Sequence, residues 1–158
     1  MEMSQDLAFA GGAVVELISF EIGGQEFCID IRSVREIRGW APATPMPHSP
    51  EYIVGVINLR GMVMPVIDLR SRLGLGQTEP TERHVIVVIQ ADGRTAGLLV
   101  DGVRESFHVE TSSLQVPPDL GDGFSHRFVD AILPFDGRLM SRLVVNTLVP
   151  MSNSEMAA

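Results

Sequence analysis

The chain contains no lysine; all 12 of its Lys-or-Arg residues are arginine. That absence excludes a Schiff-base lysine and the phosphate-gripping lysine of a P-loop. There is one cysteine, Cys28, so no intrachain disulfide forms, which fits a reducing compartment. Cys28 stands in an apolar run and reads as a small buried hydrophobe. No serine lies in a Gly-x-Ser-x-Gly elbow, and no Gly-x-Gly-x-x-Gly opens a helix. The four histidines, His48, His84, His108 and His126, share no metal-ligand spacing. Asp119, Asp122 and Asp130 lack the spacing of a calcium loop. No cofactor and no metal are expected, and with no paired base and nucleophile the chain does not read as an enzyme. Residues 1–13 carry no basic residue and no sustained apolar core, so they do not read as a secretory signal. No run approaches the length of a membrane span.

Positive charge is also scarce. The net charge is -8 with a pI of about 4.9, and aromatic residues make up 6%. Nucleic acid and anionic membranes attract a basic field, and a barrel that binds single strands needs a basic groove with stacking aromatics. Both partner classes are disfavoured. A soluble, cytoplasmic protein with no direct membrane insertion is the expectation.

What is present is β-structure. The 158 residues are 45% hydrophobic, enough for a core. Residues 14–22 alternate toward Gly23-Gly24, and residues 27–31 follow at once, which predicts a hairpin closed by Gly23-Gly24-Gln25. Residues 84–89 and 96–100 form a second such pair around Ala91-Asp92-Gly93, and residues 139–148 read as another strand. Ile31, Val34 and Ile37 recur every third residue behind a capping Asp30 and before Gly39, which predicts a helical turn over residues 31–37. Residues 39–51 (Pro42, Pro45, Pro47 and Pro50), 74–83 and 117–127 read as loops. Residues 1–13 and 151–158 are expected to be mobile ends.

Two stretches resemble each other. Gly24 and Gly93 stand 69 residues apart, and at that offset Val34-Arg35-Glu36 falls on Val103-Arg104-Glu105. Gly61 falls on Gly137 at an offset of 76, so the second copy carries an insertion. An identical Val-Arg-Glu at the offset of the turn glycine favours a duplicated β-module over a loose alignment of hairpins.

The most informative stretch is residues 55–69. Two apolar runs flank Arg60-Gly61, a hairpin that lifts a permanently charged guanidinium onto a turn. Gly61 supplies the positive φ, Asn58 reads as an amide inside the strand that pins the turn, and Gly55 lets another segment approach. A solvated hairpin-tip arginine is the bland alternative. Arg32, Arg35 and Glu36 could form either a solvated face or a partner surface. Met46, Met62 and Met64 beside the hairpin read as core filling more than as a contact surface.

These residues resemble a known family. Val34-Arg35-Glu36-Ile37-Arg38-Gly39, residues 55–61, Pro65-Val66-Ile67-Asp68-Leu69 and residues 97–103 are similar to the CheW family of bacterial chemotaxis coupling proteins. The resemblance runs from about residue 14 to 148. It implies a mainly β fold: two intertwined five-stranded SH3-like β-barrels from an internal duplication, one or two short helices, and a hydrophobic groove between the barrels. It implies a single domain over residues 14–150, with repeat halves of about 14–72 and 84–148.

It further implies a non-enzymatic scaffold that joins the cytoplasmic tip of methyl-accepting chemoreceptors to the regulatory domain of the histidine kinase CheA, recruited to membrane-associated receptor arrays. Carried over, Arg60, Asn58 and Gly61 sit at the receptor-binding surface with Val34 and Glu36 beside them, and Ile31 with Val34 lines the groove. Gly55 and Gly97 support the fold or a partner contact. A related coupler of a non-chemotaxis pathway, such as pilus-based motility, is the alternative. Ala131, where the family often has glycine, and Arg142, within the last strand, depart from the pattern.

Overall fold

The computed structural model describes residues 13–118 and 125–150. The two expected mobile ends, apart from Ala13, lie outside the described residues, as do Asp119 and Asp122. Ten strands follow in order: β1 (Val14–Ile22), β2 (Gln25–Asp30), β3 (Val34–Gly39), β4 (Ile53–Leu59), β5 (Met62–Asp68), β6 (Val85–Ala91), β7 (Arg94–Val100), β8 (Gly102–Glu110), β9 (Val129–Phe135) and β10 (Arg138–Leu143). Among the described residues, helix is confined to single turns at Leu69–Arg72, Ser125–Phe128 and Val145–Leu148, with 3-10 turns at Ile31–Ser33 and Thr111–Ser113.

Turn chemistry sets the four antiparallel hairpins. Gly23-Gly24, Arg60-Gly61, Asp92-Gly93 and Asp136-Gly137 all hold positive φ at both central positions. That is the mirror-image turn whose twist matches the strands it joins.

The strands build two five-stranded sheets, ordered β8-β1-β2-β10-β9 and β3-β6-β7-β5-β4. The duplication explains this order. Shifted by 69 residues, β1, β2 and β3 fall on β6, β7 and β8; shifted by 76, β4 and β5 fall on β9 and β10. Each sheet therefore takes its first hairpin from one copy and its other three strands from the other. The result is two intertwined SH3-like barrels, stitched by the parallel pairs β2–β10 and β5–β7.

The repeated Val-Arg-Glu has a structural meaning. Val34 registers with Ile89 and Glu36 with Val88, leaving Arg35 as the extra residue of a bulge. In the other barrel Val103 registers with Phe20 and Glu105 with Ser19, leaving Arg104 as the extra residue. A bulge re-aims the side chains that follow it.

Strand alternation divides the apolar residues among three cores. Ile86 and Val88 of β6 point into one barrel with Ile57, Leu59, Met64, Val66 and Leu99. Leu17, Cys28, Phe107, Leu133 and Met140 fill the other. The residues between them in register, such as Ile18, Phe20, Val87 and Ile89, make the largest cluster, which joins the barrels. Arg72 reinforces that joint: its guanidinium lies 4.1 Å from the Tyr52 ring centre and 5.2 Å from that of Phe128, and donates to the Thr147 carbonyl at 2.9 Å.

Three sequence expectations are corrected. The helical turn over residues 31–37 shrinks to Ile31–Ser33, capped as expected by Asp30 accepting from the Arg32 N–H, and β3 begins at Val34. Val34 and Ile37 are three apart yet register with Ile89 and Val87 on one face, because the bulge at Arg35 inserts a residue into the strand alternation. The run 139–148 is a strand only to Leu143 and then turns as Val145–Leu148. The loop expected over residues 117–127 ends in a helical turn that begins at Ser125.

Candidate docking site

Arg60 stands at the tip of the β4–β5 hairpin. Its φ of 52° precedes Gly61 at 87°, so both turn residues are left-handed. Asn58 Oδ1 accepts the Gly61 backbone N–H at 2.8 Å, which pins the turn as expected. The amide is exposed rather than buried, so solvent satisfies its remaining hydrogen-bonding capacity.

The guanidinium is not alone. Arg60 Nη2 donates to Glu36 Oε2 at 2.5 Å. The bulge at Arg35 makes this possible: it turns Glu36 to the face of Val88, toward the barrel mouth, while Val34 stays on the face of Ile89. The Arg60 hydrogen bond holds the Glu36 carboxyl below its ordinary value and Glu36 in turn raises Arg60. The Arg60 side chain nevertheless remains 72% exposed and that of Glu36 29%. Most guanidinium donors therefore still face solvent.

Beneath the pair is a cleft of about 180 Å³, lined by Arg35, Glu36, Leu59, Arg60, Met62, Met64, Val88 and Thr95. Its floor is apolar and its rim is charged. Met62 and Met64 were visible in the sequence beside the hairpin, and Arg35 lay in the repeated Val-Arg-Glu. Thr95 carried no signal, because it arrives from a strand of the other copy.

The remaining sequence candidates lie elsewhere. Val34 is half-buried against the inter-barrel cluster. Ile31 lines a separate cleft of about 700 Å³ with Val15, Glu16, Asp30, His108 and Arg142. Gly55 permits a close approach: a Cβ there would run into the carbonyl of Thr44, whose C=O accepts from the Val56 N–H at 2.8 Å and whose N–H donates to the Val56 carbonyl at 2.9 Å. Gly97 is hemmed in by β6, since its Cβ would stand 2.6 Å from Ile86 Cγ2. No group of three or more His, Cys, Asp or Glu able to hold a metal occurs among the described residues, and no described helix is long and apolar enough to cross a membrane.

A CheW-like domain model matches residues 16–152. The chain belongs to the CheW-like family. The chemotaxis protein CheW of Rhizobium meliloti is 47% identical over 142 residues, covering 90% of this chain and 92% of that one. The probable chemotaxis protein CheW of Rhizobium etli is 49% identical over the same length and the same shares. The crystal structure of the scaffolding protein TtCheW from Thermoanaerobacter tengcongensis matches with a TM-score of 0.78 and 30% identity, over 85% of this chain and 86% of that one. The chain is thus a chemotaxis scaffold of the CheW type, with the two SH3-like barrels its sequence implied.

Within this CheW-like frame the duplication supplies an internal comparison. At the mouth of the other barrel, Asp136 stands where Arg60 does, Arg138 where Met62 does, and Glu26 where Thr95 does. There Arg138 bonds Glu105 at 2.7 Å, Arg104 bonds Glu21 at 2.6 Å, and both arginines approach Glu26. One barrel mouth is filled by ion pairs; the other keeps an apolar floor with the exposed Arg60 and Arg35 at its rim. The fold accepts either, so it does not by itself demand the Arg60 arrangement.

Proposed function

We propose that the cleft under Arg60 receives the cytoplasmic tip of methyl-accepting chemoreceptors, and that the chain couples this contact to the regulatory domain of the histidine kinase CheA without catalysing a reaction itself. The protein acts in the cytoplasm, within receptor arrays, as a single domain over residues 14–150. The observation that carries the reading is Arg60 itself: braced by a pinned turn and by Glu36, yet 72% exposed above an apolar floor.

The chemistry is that of a helix laid against a groove, anchored by a charge-assisted hydrogen bond. Glu36 fixes the guanidinium plane before the partner arrives, so less rotamer freedom is lost on docking. A carboxylate on the receptor then meets donors that Glu36 leaves free. Individual contacts need only modest strength, because joining receptor, scaffold and kinase makes later contacts effectively intramolecular. Signal passage is a coupling free energy between sites, on the order of 1–3 kcal/mol.

The test is Arg60→Glu in a pull-down with a receptor cytoplasmic fragment, beside a thermal melt. Reversal of charge next to Glu36 is expected to weaken docking roughly tenfold or more while the barrels stay folded. A folded Arg60→Glu protein that binds the receptor fragment as the wild type does would refute the assignment.

A further inference from the structure

The methionines of this chain differ sharply in exposure. Met64 and Met140 are buried at 1% and 0%, whereas Met62 is 50% exposed and Met46 is 43% exposed. Met62 opens β5 directly after the Arg60-Gly61 turn and lines the cleft with Leu59 and Met64. The fold does not require a thioether there, since Arg138 occupies the equivalent place in the other barrel. Val63 beside it is 64% exposed, so the lip offers apolar surface to whatever docks. A thioether in that position is both contact surface and reactive group: soft enough to follow an apolar partner, and open to two-electron oxidants.

We propose that Met62 is a reversible oxidation site through which peroxides weaken partner docking at the Arg60 cleft. The inference rests on the docking reading above. The Met62 sulfur attacks a peroxide oxygen; an S–O bond forms and the O–O bond breaks. The hydroxysulfonium passes its proton to the departing hydroxide, giving methionine sulfoxide and one water from hydrogen peroxide. Sulfur loses the two electrons that the peroxide gains. The product replaces an apolar lip by a strongly polar S–O group, which a docking apolar face must desolvate. Sulfoxide reductases reverse the change.

Met62 lies beside Arg60 without contributing to the barrel interior, so oxidation there leaves the core intact. Met64, one pleat further along β5, faces that interior. Its oxidation requires opening of the barrel, which makes it an internal clock for unfolding.

The experiment treats the full chain with hydrogen peroxide, maps sulfoxides by mass spectrometry over time, and measures binding to a purified chemoreceptor cytoplasmic fragment. Wild type, Met62→Leu and Met46→Leu are each compared with their own untreated sample. Met62 should oxidise well ahead of Met64 and Met140. Treated wild type and Met46→Leu should lose roughly threefold or more in affinity, and treated Met62→Leu should keep its own untreated affinity. Oxidation of Met62 no faster than Met64, unchanged binding by treated wild type, or an equal loss in treated Met62→Leu would each overturn the proposal. If the untreated chain does not bind the receptor fragment at all, the docking reading falls and the effect on docking falls with it; the sulfoxide map still decides the reactivity of Met62 separately.

Discussion

Arg60 Nη2 lies 2.5 Å from Glu36 Oε2, although 24 residues of chain separate them. The guanidinium holds Glu36 below the usual glutamate value of 4.5, so the folded state keeps this carboxylate charged where the unfolded chain begins to protonate. The contribution of the pair is therefore present above pH 4.5 and is lost as pH falls through the lower folded value. Carboxyl NMR titration should show a Glu36 midpoint below 4.5 that moves upward in Arg60→Ala. Melting curves of the two proteins should converge under acid conditions. A midpoint indifferent to Arg60→Ala would show that the pair does not persist in solution.

The tip itself is strained in favour of the charged side chain. Arginine at a φ of 52° occupies a region that costs an ordinary residue about 1 kcal/mol, whereas asparagine before glycine suits this turn. Arg60→Asn is expected to raise the melting temperature by a few degrees, the backbone gain outweighing one exposed ion pair, while receptor docking falls. Parallel melts and pull-downs check this opposition. A variant that is less stable than wild type contradicts the account of the turn.

Gly97 gives a packing test. A Cβ 2.6 Å from Ile86 Cγ2 cannot be absorbed by a buried β-branched neighbour, so Gly97→Ala should destabilise by about 1–3 kcal/mol. Ile86→Ala alone should cost roughly 2–5 kcal/mol through the cavity it leaves. Combined, the two changes should cost less than their sum, since each relieves the other. Chemical denaturation of the four proteins closes the cycle; simple additivity would mean the close contact is not what glycine is for.

Cys28 is fully buried, and burial pushes its thiol up to about 12, with Arg142 opposing and Asp130 and Glu26 adding to the rise. The thiol stays neutral in the folded protein while the unfolded chain ionises near its usual 9.0. Its contribution to stability is complete below that value and disappears as pH rises toward the folded one. Alkylation at mildly alkaline pH should proceed only as fast as the protein opens, and denaturant should release it. Rapid labelling of the native chain would contradict the burial.

Much of this architecture could be read from the chain because turn glycines announce themselves. Gly23-Gly24, Arg60-Gly61 and Asp92-Gly93 each mark a hairpin found in the fold. The duplication was legible too, through Val34-Arg35-Glu36 and Val103-Arg104-Glu105. What that repeat does was not. A bulge resets the alternation of a strand, so Val34 and Ile37 take on helical spacing without being helical. The same displacement hid the meeting of Glu36 with Arg60, because an undisturbed strand would put Glu36 on the face of Val34. Asn58 sits among apolar neighbours yet is exposed, because it falls on the outward face of the alternation, between buried Ile57 and Leu59. Thr95 and the separation of Ile31 from Arg60 depend on which copy lends its hairpin to which barrel, and local sequence does not encode that choice.

The exchange of hairpins also dictates an order of birth. As the chain leaves the ribosome, β3, β4 and β5 appear before β6 and β7, the two strands that must stand between them. Their barrel closes only once Val100 has emerged. β1 and β2 wait longer still, for β8, β9 and β10, until Leu143 is made. Neither repeat can mature without its sibling: the hairpins β1–β2 and β4–β5 can pair as they emerge, but their outer edges wait for the second copy. Such distant partnerships slow folding and leave edges open to strangers, so a nascent chain cut between the copies yields no half-sized adaptor, only two hairpins and a lone β3 that lack the strands meant to join them.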